Sequence, residues 1–281
     1  MTRTALVLGG GGVTGIAWEL GLLHGLAEAG VDLGTADLVV GTSAGSVVGA
    51  QLTGGRDLAE LYAGQLRPAT GELAASLGAL TLLRMAPAML LPGGSRAKRR
   101  RVGAMALRAH PPAVPGEVEP RVEVIRGRLG DLDWPARDLV VTAVDAASGE
   151  LVRFTRDSGA DLVHAVAASC AVPLVWPPVV VEGRPHVDGG LRSTANADLA
   201  AGADRVVVLA PIPRSFSRHT SIAAQLERIA PGRSVVVSPD AQAVADIGRN
   251  VLDPAKRADA ARTGLRQAAA EVARVAEVWG P

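Results

Sequence analysis

Two glycine-framed turns constrain this chain more than any other feature of its sequence. The first is the run Gly9-Gly10-Gly11-Gly12-Val13-Thr14-Gly15, and the second is Gly41-Thr42-Ser43-Ala44-Gly45. Each turn follows a short apolar run typical of a buried strand and precedes a helical pattern. The second turn is a G-x-S-x-G sequence, which favours a serine held on a sharp strand-to-helix turn. The sequence therefore predicts two β-α units, one with a nucleophilic serine and one with an anion-binding loop.

The same alternation continues along the chain, because β-like runs and helical patterns follow one another over most of its length. This order predicts an α/β fold with a largely parallel sheet. Several runs are continuous in Val and Leu, as expected when helices cover both faces of the sheet. The candidate strands are 4–8, 38–41, 139–144, 151–154, 179–181, 185–187, 205–210 and 234–238. The candidate helices are 16–28, 44–53, 57–66, 161–168, 195–201, 221–229 and 254–279.

Composition restricts the class of protein further. With 281 residues, 48% of them apolar, the chain is long enough for one substantial core, and we expect a single domain over 1–281. A net charge of +1 predicts no attraction to nucleic acid, and the single Cys170 excludes an intramolecular disulfide. No apolar stretch reaches the roughly 18 residues of a membrane span, and the first residues lead into a strand rather than a signal peptide. We expect a cytoplasmic protein, and its use of alanine and arginine is typical of bacterial proteins.

Residues 70–116 interrupt the alternation and predict a helical insertion with an unusual charge. No acidic residue lies between Glu72 and Glu117, whereas seven residues there are basic. They are Arg84, Arg96, Lys98, Arg99, Arg100, Arg101 and Arg108. One interpretation is a cap that contacts an anionic membrane through the cluster at 96–101, since basic residues beside apolar ones suit an interface. The alternative is a solvated helical insertion with a charged face.

Ser43 needs two kinds of partner before it can act as a nucleophile. A serine hydroxyl requires a base that takes its proton and donors that stabilise the oxyanion of the tetrahedral intermediate. Gly41 and Gly45 permit the tight turn and the close strand–helix packing that expose the serine oxygen. The run from Gly9 to Gly12 offers backbone N–H groups at a helix N-terminus, where an oxyanion would bind.

The glycine run also has a second interpretation. Gly10-x-Gly12-x-x-Gly15 satisfies the G-x-G-x-x-G pattern of a dinucleotide-binding turn, and Asp32 or Asp37 follows about 20 residues later. This motif alone is weak, and a dinucleotide site does not explain the nearby G-x-S-x-G sequence. A nucleotide-binding Rossmann protein therefore remains an alternative at this point.

Asp188 is the candidate for the base. It lies in Val187-Asp188-Gly189-Gly190, directly after the candidate strand pair 179–181 and 185–187. A carboxylate at a strand end followed by two glycines occupies a tight turn that another backbone can approach closely. The alternative is an ordinary Asp-Gly turn without a catalytic role.

Three blocks together resemble the patatin-like phospholipases, which are serine acyl hydrolases that use a Ser-Asp dyad. Residues 6–15, continuing to Gly21-Leu22-Leu23, are similar to the oxyanion block of that family, and residues 41–45 to its nucleophile block. Residues 167–173, followed by 187–190, are similar to its base block. The blocks occur in the family's order across residues 4 to about 210. The resemblance implies a three-layer α/β/α fold with a largely parallel central sheet.

The resemblance also implies a role for each matching residue. Ser43 would be the nucleophile, Asp188 its general base, and the amides of Gly10, Gly11 and Gly12 the oxyanion hole. The supporting motif positions are Gly9, Gly15, Gly41, Gly45, Gly189 and Gly190. The implied reaction is hydrolysis of carboxylic esters of lipids, of the phospholipase A or lysophospholipase type, through an acyl-Ser43 intermediate. No metal or organic cofactor is implied, and the expected partner is a lipid or ester substrate.

The chain departs from the family pattern at Thr14, where the family usually places Arg or Lys. A cation at that position would strengthen the field near the oxyanion or anchor the loop. Its absence predicts weaker catalysis, a changed preference for the charge of the substrate, or compensation elsewhere in the site. A non-catalytic lipid-binding protein is therefore a further alternative.

The five histidines give no metal-ligand spacing. An α/β-hydrolase triad is formally possible if Asp145 or Asp188 pairs with His219. In that fold, however, several strands normally come before the nucleophile turn, whereas only the strand 4–8 comes before the strand–turn–helix unit of Ser43. His186 shares a strand face with Asp188 and is a candidate modulator of its pKa, whereas Cys170 is expected to be a small core residue.

Overall fold

The computed structural model describes residues 2–68, 79–111, 113, 119–215 and 217–280. In this part of the chain, eight strands form one sheet, in which β5-β6-β3-β2-β1-β7-β8 are successively hydrogen-bonded and β4 also pairs with β3. Strands β3, β2, β1, β7 and β8 are mutually parallel, and β4, β5 and β6 are antiparallel additions. The strands are β1 (Thr4–Leu8), β2 (Leu38–Thr42), β3 (Asp138–Asp145), β4 (Leu151–Phe154), β5 (Val179–Val181), β6 (Arg184–Asp188), β7 (Arg205–Leu209) and β8 (Arg233–Val237).

Ten α-helices accompany these strands in the described ranges. They are α1 (Gly12–Glu28), α2 (Ala44–Thr53), α3 (Leu58–Leu66), α4 (Ala79–Leu90), α5 (Ser95–Ala109), α6 (Pro120–Leu129), α7 (Leu162–Ser169), α8 (Ile222–Ile229), α9 (Ala241–Ile247) and α10 (Arg257–Trp279). The expected α/β architecture with a largely parallel central sheet and helices on both sides is confirmed. No helix of the described residues has the length and apolarity needed to cross a bilayer.

The period of two in the strands divides the core between the two faces of the sheet. In β1, Leu6 and Leu8 join a cluster with the large helices, of which α1 and α10 pack directly on each other. Ala5 and Val7 point to the opposite face, where they pack with α8 and the 3₁₀ turn Ala197–Ala200. The strands are buried on both faces, which explains why their sequences read as continuous apolar runs.

A third apolar cluster joins α4 and α5 to the sheet. Met85 and Ala88 of α4 pack with Val102 and Ala106 of α5 and with Val187 of β6. The range 70–116 thus contains two helices, and residues 70–78, 112 and 114–116 of that range lie outside the described residues.

Several predicted elements differ from the structure at their boundaries. Helix α1 begins at Gly12 rather than at residue 16, because the glycine run itself forms the first turn. The segment predicted as a helix over 195–201 contains only the 3₁₀ turn Ala197–Ala200, and the helix predicted from 254 begins as the 3₁₀ turn Pro254–Lys256 before α10. The prediction missed α6 and α9, which are short and bury only three and two residues, respectively.

Candidate active site

The G-x-S-x-G sequence forms a tight turn between β2 and α2. Ser43 has φ 51° and ψ −114°, a strained backbone conformation for a residue with a side chain. Gly45 lies against β1: a Cβ atom there would be 2.1 Å from the carbonyl oxygen of Leu8. The Gly45 N–H donates to the carbonyl oxygen of Gly9 at 3.0 Å, which ties the two glycine-framed turns together. The turn therefore holds Ser43 at the carboxyl edge of the sheet and at the N-terminus of a helix.

Helix α7 fixes the backbone of the serine from the other side. The Ser43 N–H donates to the Ser169 hydroxyl at 2.9 Å, and the Cys170 thiol donates to the Ser43 carbonyl oxygen at 3.3 Å. Cys170 is buried, and burial raises the pKa of its thiol, as expected of a packed thiol rather than a nucleophile. Sequence reasoning placed Ser169 in the base block but missed its contact with the nucleophile's backbone.

The order of the strands brings Asp188 to Ser43. Strand β4 pairs with one edge of β3. Strand β2 pairs with the other edge, and the last residues of this pairing are Thr42 and Thr142. From Ala143 onward, that same edge pairs with β6, in which Asp188 lies opposite Ala143. The carboxyl ends of β2 and β6 therefore meet end to end beside β3. Ser43 and Asp188, which are 145 positions apart in the sequence, become neighbours as a result.

Asp188 is held in a buried position by its own turn. Its Oδ1 accepts the Gly190 N–H at 2.7 Å, and only 5% of the residue is exposed. Burial raises the pKa of Asp188 to about 6, against the lowering effects of hydrogen bonds from the Ser43 hydroxyl and from Gly190 and of the Arg121 charge. The structure thus brings together the predicted nucleophile and the predicted base, with the base partly protonated near neutral pH.

A buried polar network lies beneath this pair. The Asn196 amide donates to the Thr42 hydroxyl at 3.1 Å and to the Ser193 carbonyl oxygen at 2.9 Å, and the hydroxyls of Thr42 and Thr142 lie 2.9 Å apart. A Cβ atom at Gly189 would lie 2.4 Å from the Thr142 hydroxyl oxygen, which explains the glycine after Asp188. Sequence reasoning missed Asn196, because it assigned residues 195–201 to a helix and a single asparagine there carries no motif of its own.

The glycine run supplies two amides toward the site. The Gly9 N–H donates to Leu209 at 2.9 Å, and the Gly10 N–H donates to the Thr194 carbonyl oxygen at 2.7 Å, so the expected set of three amides is reduced to two. The N–H groups of Gly11 and Gly12 form no hydrogen bond with any other residue that the structure describes. Both lie at the start of α1, where the helix dipole adds partial positive charge.

Thr14 has a structural role in this loop. It is fully buried, and its hydroxyl lies 3.2 Å from the Val251 carbonyl oxygen and 3.4 Å from that of Gly11. Its N–H also donates to Val251 at 3.2 Å. Thr14 therefore anchors the loop to the segment before α10, and it contributes no charge to the site.

Two cavities open at Ser43. The larger has a volume of about 320 Å³ and a mostly apolar lining. It is lined by Gly11, Gly12, Ser43, Met85, Asp188 and Leu191, among others. The smaller is a cleft of about 20 Å³, which we call the arginine cleft, lined by Gly12, Ser43, Arg121, Arg128, Cys170 and Trp176, among others. The nucleophile thus lies between an apolar cavity and a narrow cleft that contains arginine.

None of the five histidines lines either cavity at Ser43. His219 is exposed in the 3₁₀ turn Arg218–Thr220. His186 is buried on β6 and packs edge-on against Phe154, and burial lowers its pKa. Among the described residues, no group of His, Cys, Asp and Glu is arranged to hold a metal ion.

A family model of the patatin-like phospholipases matches residues 6–201. The chain therefore belongs to the patatin-like phospholipase family, a family of lipid-hydrolysing enzymes. This membership leaves the nucleotide-binding interpretation of the glycine run without support beyond the motif itself.

No curated protein matches the chain. Among solved structures, VipD from Legionella pneumophila is similar, with 16% identity and a TM-score of 0.49 over 97% of this chain and 67% of VipD. The type III effector protein ExoU is also similar, with 18% identity and a TM-score of 0.43 over 98% of this chain and 53% of ExoU. The chain thus spans about two thirds of VipD and about half of ExoU.

Proposed function

We propose that this chain is a serine acyl hydrolase that cleaves carboxylic esters of lipids, of the phospholipase A or lysophospholipase type, with a Ser43–Asp188 dyad. The observation that carries the proposal is that Ser43 and the buried Asp188 line the same apolar cavity, with the serine hydroxyl near enough to lower the pKa of the carboxyl group. An apolar cavity of about 320 Å³ suits the acyl chain of a lipid. A pKa of about 6 for Asp188 suits a base that works near neutral pH, since about nine-tenths of it is ionised at pH 7.

In the acylation step, Asp188 takes the proton of the Ser43 hydroxyl while the serine oxygen attacks the ester carbonyl. The amides of Gly11 and Gly12 donate to the oxyanion of the tetrahedral intermediate, and one such donor contributes about 2.7–4 kcal/mol to lowering the barrier. The intermediate collapses to acyl-Ser43, and the bond to the alcohol breaks. The leaving alkoxide receives the proton from Asp188.

The deacylation step repeats these roles with water as the nucleophile. Asp188 takes a proton from water, and the resulting hydroxide attacks the carbonyl of acyl-Ser43. The fatty acid leaves, and the proton returns to the Ser43 oxygen. Both half-reactions use only groups that lie within the site.

The experiment that tests the proposal is hydrolysis of p-nitrophenyl octanoate by the wild type and by the Ser43→Ala and Asp188→Asn variants. We expect each variant to lose at least about 10³-fold in kcat/KM, with circular dichroism spectra that match the wild type. Asp157→Asn, at an exposed carboxylate, is the matched control. A folded wild type that binds lipid but shows neither hydrolysis nor Ser43-dependent labelling by a fluorophosphonate would favour a non-catalytic lipid-binding protein instead.

A second arm separates the dyad from a triad. His219→Ala should leave most of kcat, because the exposed His219 takes no part in the proposed proton transfers. A large loss of kcat in that variant would instead support an α/β-hydrolase triad that includes His219.

We also propose that α4 and α5 contact an anionic lipid surface. Helix α4 exposes Leu83 and Leu90, with 68% and 81% of their surface accessible, and the same helix places Met85 on the wall of the apolar cavity. An exposed apolar face beside the cavity would therefore meet the surface from which the lipid comes.

The cations of α5 divide into two groups. Arg96, Arg99 and Arg101 bind acceptors of this chain: Glu150, the Gly149 carbonyl oxygen and carbonyl oxygens at the end of α4. Lys98 and Arg100 make no ion pair with any described residue, and Arg100 is exposed. Of the predicted contact residues, Lys98 and Arg100 are therefore the ones available to lipid phosphates.

Co-sedimentation with vesicles tests this contact. We expect stronger binding to vesicles with anionic lipid than to neutral ones, and weaker binding of Leu83→Ser and Leu90→Ser. Val244→Ser is the matched control, since Val244 is 58% exposed on α9 and outside the proposed surface. Equal binding to both vesicle types, or none, would overturn the contact and leave α4–α5 as a solvated insertion.

A further inference from the structure

The arginine cleft contains hydrogen-bond donors without acceptors. The Nε atom of Arg121 and the Nε1 atom of Trp176 are both buried, and neither has a hydrogen-bond partner. Arg121 also makes no ion pair with a carboxylate in the described ranges. An unsatisfied buried donor is unfavourable, because it has lost its hydrogen bonds to water without gaining a protein partner. Two of them in one narrow cleft indicate that the cleft binds an acceptor-rich group.

The ring of Trp176 orients the arginine. The Arg121 guanidinium lies over this ring, 5.0 Å from its centre. This cation–π contact occupies the flat face of the guanidinium and leaves its N–H edge for a planar or tetrahedral oxyanion. Burial lowers the pKa of Arg121, which the neighbouring Cys170 side chain and, to a smaller extent, the Asp188 charge partly counteract, but an arginine stays charged under such conditions.

The cleft adjoins the apolar cavity at the nucleophile. Both cavities are lined by Gly12, Ser43, Val172 and Leu252, so they meet at Ser43. In an ester bound there, the acyl chain would occupy the apolar cavity and the alcohol would extend toward Arg121. The volume of about 20 Å³ is room for little more than one water-sized group, so an oxygen atom of a phosphate or carboxylate fits there and a bulky ammonium head group does not.

Arg121 is also a cation near Ser43 in a chain that has Thr14 where the family usually has Arg or Lys. The glycine loop carries a buried threonine that binds two carbonyl oxygens, so no positive side chain comes from that loop. Helix α6 instead brings a positive side chain to the nucleophile, from a part of the chain that follows the basic segment.

We propose that Arg121, with the indole N–H of Trp176, is an anion-binding subsite for the alcohol part of the substrate. The chain then prefers esters whose alcohol carries a phosphate or carboxylate close to the ester bond over neutral esters of the same acyl chain. This inference rests on the proposed acyl hydrolase function. In the reaction, the anionic group stays bonded to the alcohol, and only the acyl–oxygen bond breaks.

The test uses three octanoyl esters below their critical micelle concentrations, so that no lipid surface is involved. They are octanoyl-glycerol 3-phosphate, O-octanoyl glycolate and mono-octanoylglycerol, which place a phosphate, a carboxylate and no charge on the alcohol. We expect the wild type to favour at least one anionic ester by roughly tenfold or more in kcat/KM. A preference for the phosphate alone, or for both anions, identifies which oxyanion the subsite accepts, and either supports the proposal.

Variants assign the preference to the subsite. Arg121→Gln should lower kcat/KM for the anionic ester about 10- to 100-fold and change that for the neutral ester less than about threefold. Trp176→Phe, which keeps a ring and removes the donor, should give a smaller loss for the anionic ester only. Arg126→Gln is the matched control, because Arg126 lies on the same helix, is half exposed and pairs with Glu123 at the surface.

Three outcomes would overturn the subsite. They are equal kcat/KM for anionic and neutral esters in the wild type, equal losses for both esters in Arg121→Gln, and loss of the preference in Arg214→Gln instead. Arg214 is an exposed residue on the wall of the apolar cavity. If no ester is hydrolysed in a Ser43-dependent manner, the proposed function itself fails, which is a distinguishable result.

The wild type alone provides a second measurement if Arg121→Gln does not fold. Octyl phosphate should inhibit hydrolysis of mono-octanoylglycerol competitively, and at least tenfold more strongly than octyl glycerol ether, which lacks the charge. Equal inhibition by the two compounds would overturn the proposal without any variant.

Discussion

The two walls of the apolar cavity are built in different ways. The wall that carries Ser43 is fixed by backbone contacts: the N–H of Gly45 donates to Gly9, and its Cα lies so close to Leu8 that no side chain fits. The wall formed by α4 is fixed by side chains, since Arg101 of α5 binds carbonyl oxygens at the end of α4. Backbone contacts hold the wall around Ser43 with little freedom, and we expect a wall held by side-chain contacts to open more easily.

The largest effect should follow from adding one methyl group to the rigid wall. Gly45→Ala would place its Cβ atom 2.1 Å from the Leu8 carbonyl oxygen, so β1 and α2 must separate. We expect the free energy of unfolding to fall by about 3 kcal/mol or more, or the protein not to fold. Urea denaturation measures this loss. Gly64→Ala in α3 is the control, because no atom lies within 4 Å of its new Cβ atom, and unchanged stability in both variants would refute the distinction.

Removal of the Asp188 charge, beside Ser43, should stabilise the protein. The folded-state pKa of Asp188 is about 6, above an ordinary value near 4, so the folded state holds its proton more tightly. The contribution of Asp188 to stability is therefore greatest below pH 4 and is lost as the pH rises through about 6, by roughly 3 kcal/mol at pH 7. Asp188→Asn should remove this loss and unfold at a higher temperature than the wild type at pH 7–8. If the melting temperatures of the wild type and Asp188→Asn have the same pH dependence, the pKa of Asp188 is not raised in the folded state.

The same carboxylate should control the pH dependence of the reaction. Because the ionised form of Asp188 is the base, kcat/KM for p-nitrophenyl octanoate should reach half its maximum near pH 6 and fall about tenfold per pH unit below it. The Arg121 charge lowers the pKa of Asp188, so Arg121→Gln should move the midpoint to higher pH. A midpoint that moves with His219→Ala would point to a histidine base.

The smallest effect should come from the α4 wall. Arg101→Gln removes donors to the carbonyl oxygens of Ala88 and Leu91, and we expect local opening of α4 to become easier by about 1–2 kcal/mol. Hydrogen exchange of peptides over 83–91 should report this change, while the global melting temperature stays nearly constant. Arg100→Gln is the control, since Arg100 is exposed and forms no ion pair with a described residue. A large fall in global stability would show that both walls belong to one cooperative unit.

The sequence by itself determined the elements whose signal is local. The strands at 4–8, 38–42 and 205–209 read as continuous apolar runs, and the turn around Ser43 followed from its glycines. Short elements escaped prediction: α9 has few buried residues, and the residues at 195–201 satisfy their backbone with a 3₁₀ turn. Such segments depend on tertiary contacts more than on their own periodicity.

The tertiary structure decided how distant residues combine. Ser43 and Asp188 became neighbours because β2 and β6 use the same edge of β3, a pairing that no local pattern encodes. Likewise, the sequence showed only that Thr14 lacks a charge, whereas the packing of α6 placed Arg121 beside the nucleophile. Strands and tight turns are determined by residues that are neighbours in the sequence. Strand order and helix packing depend on contacts that form only when the whole sheet is assembled.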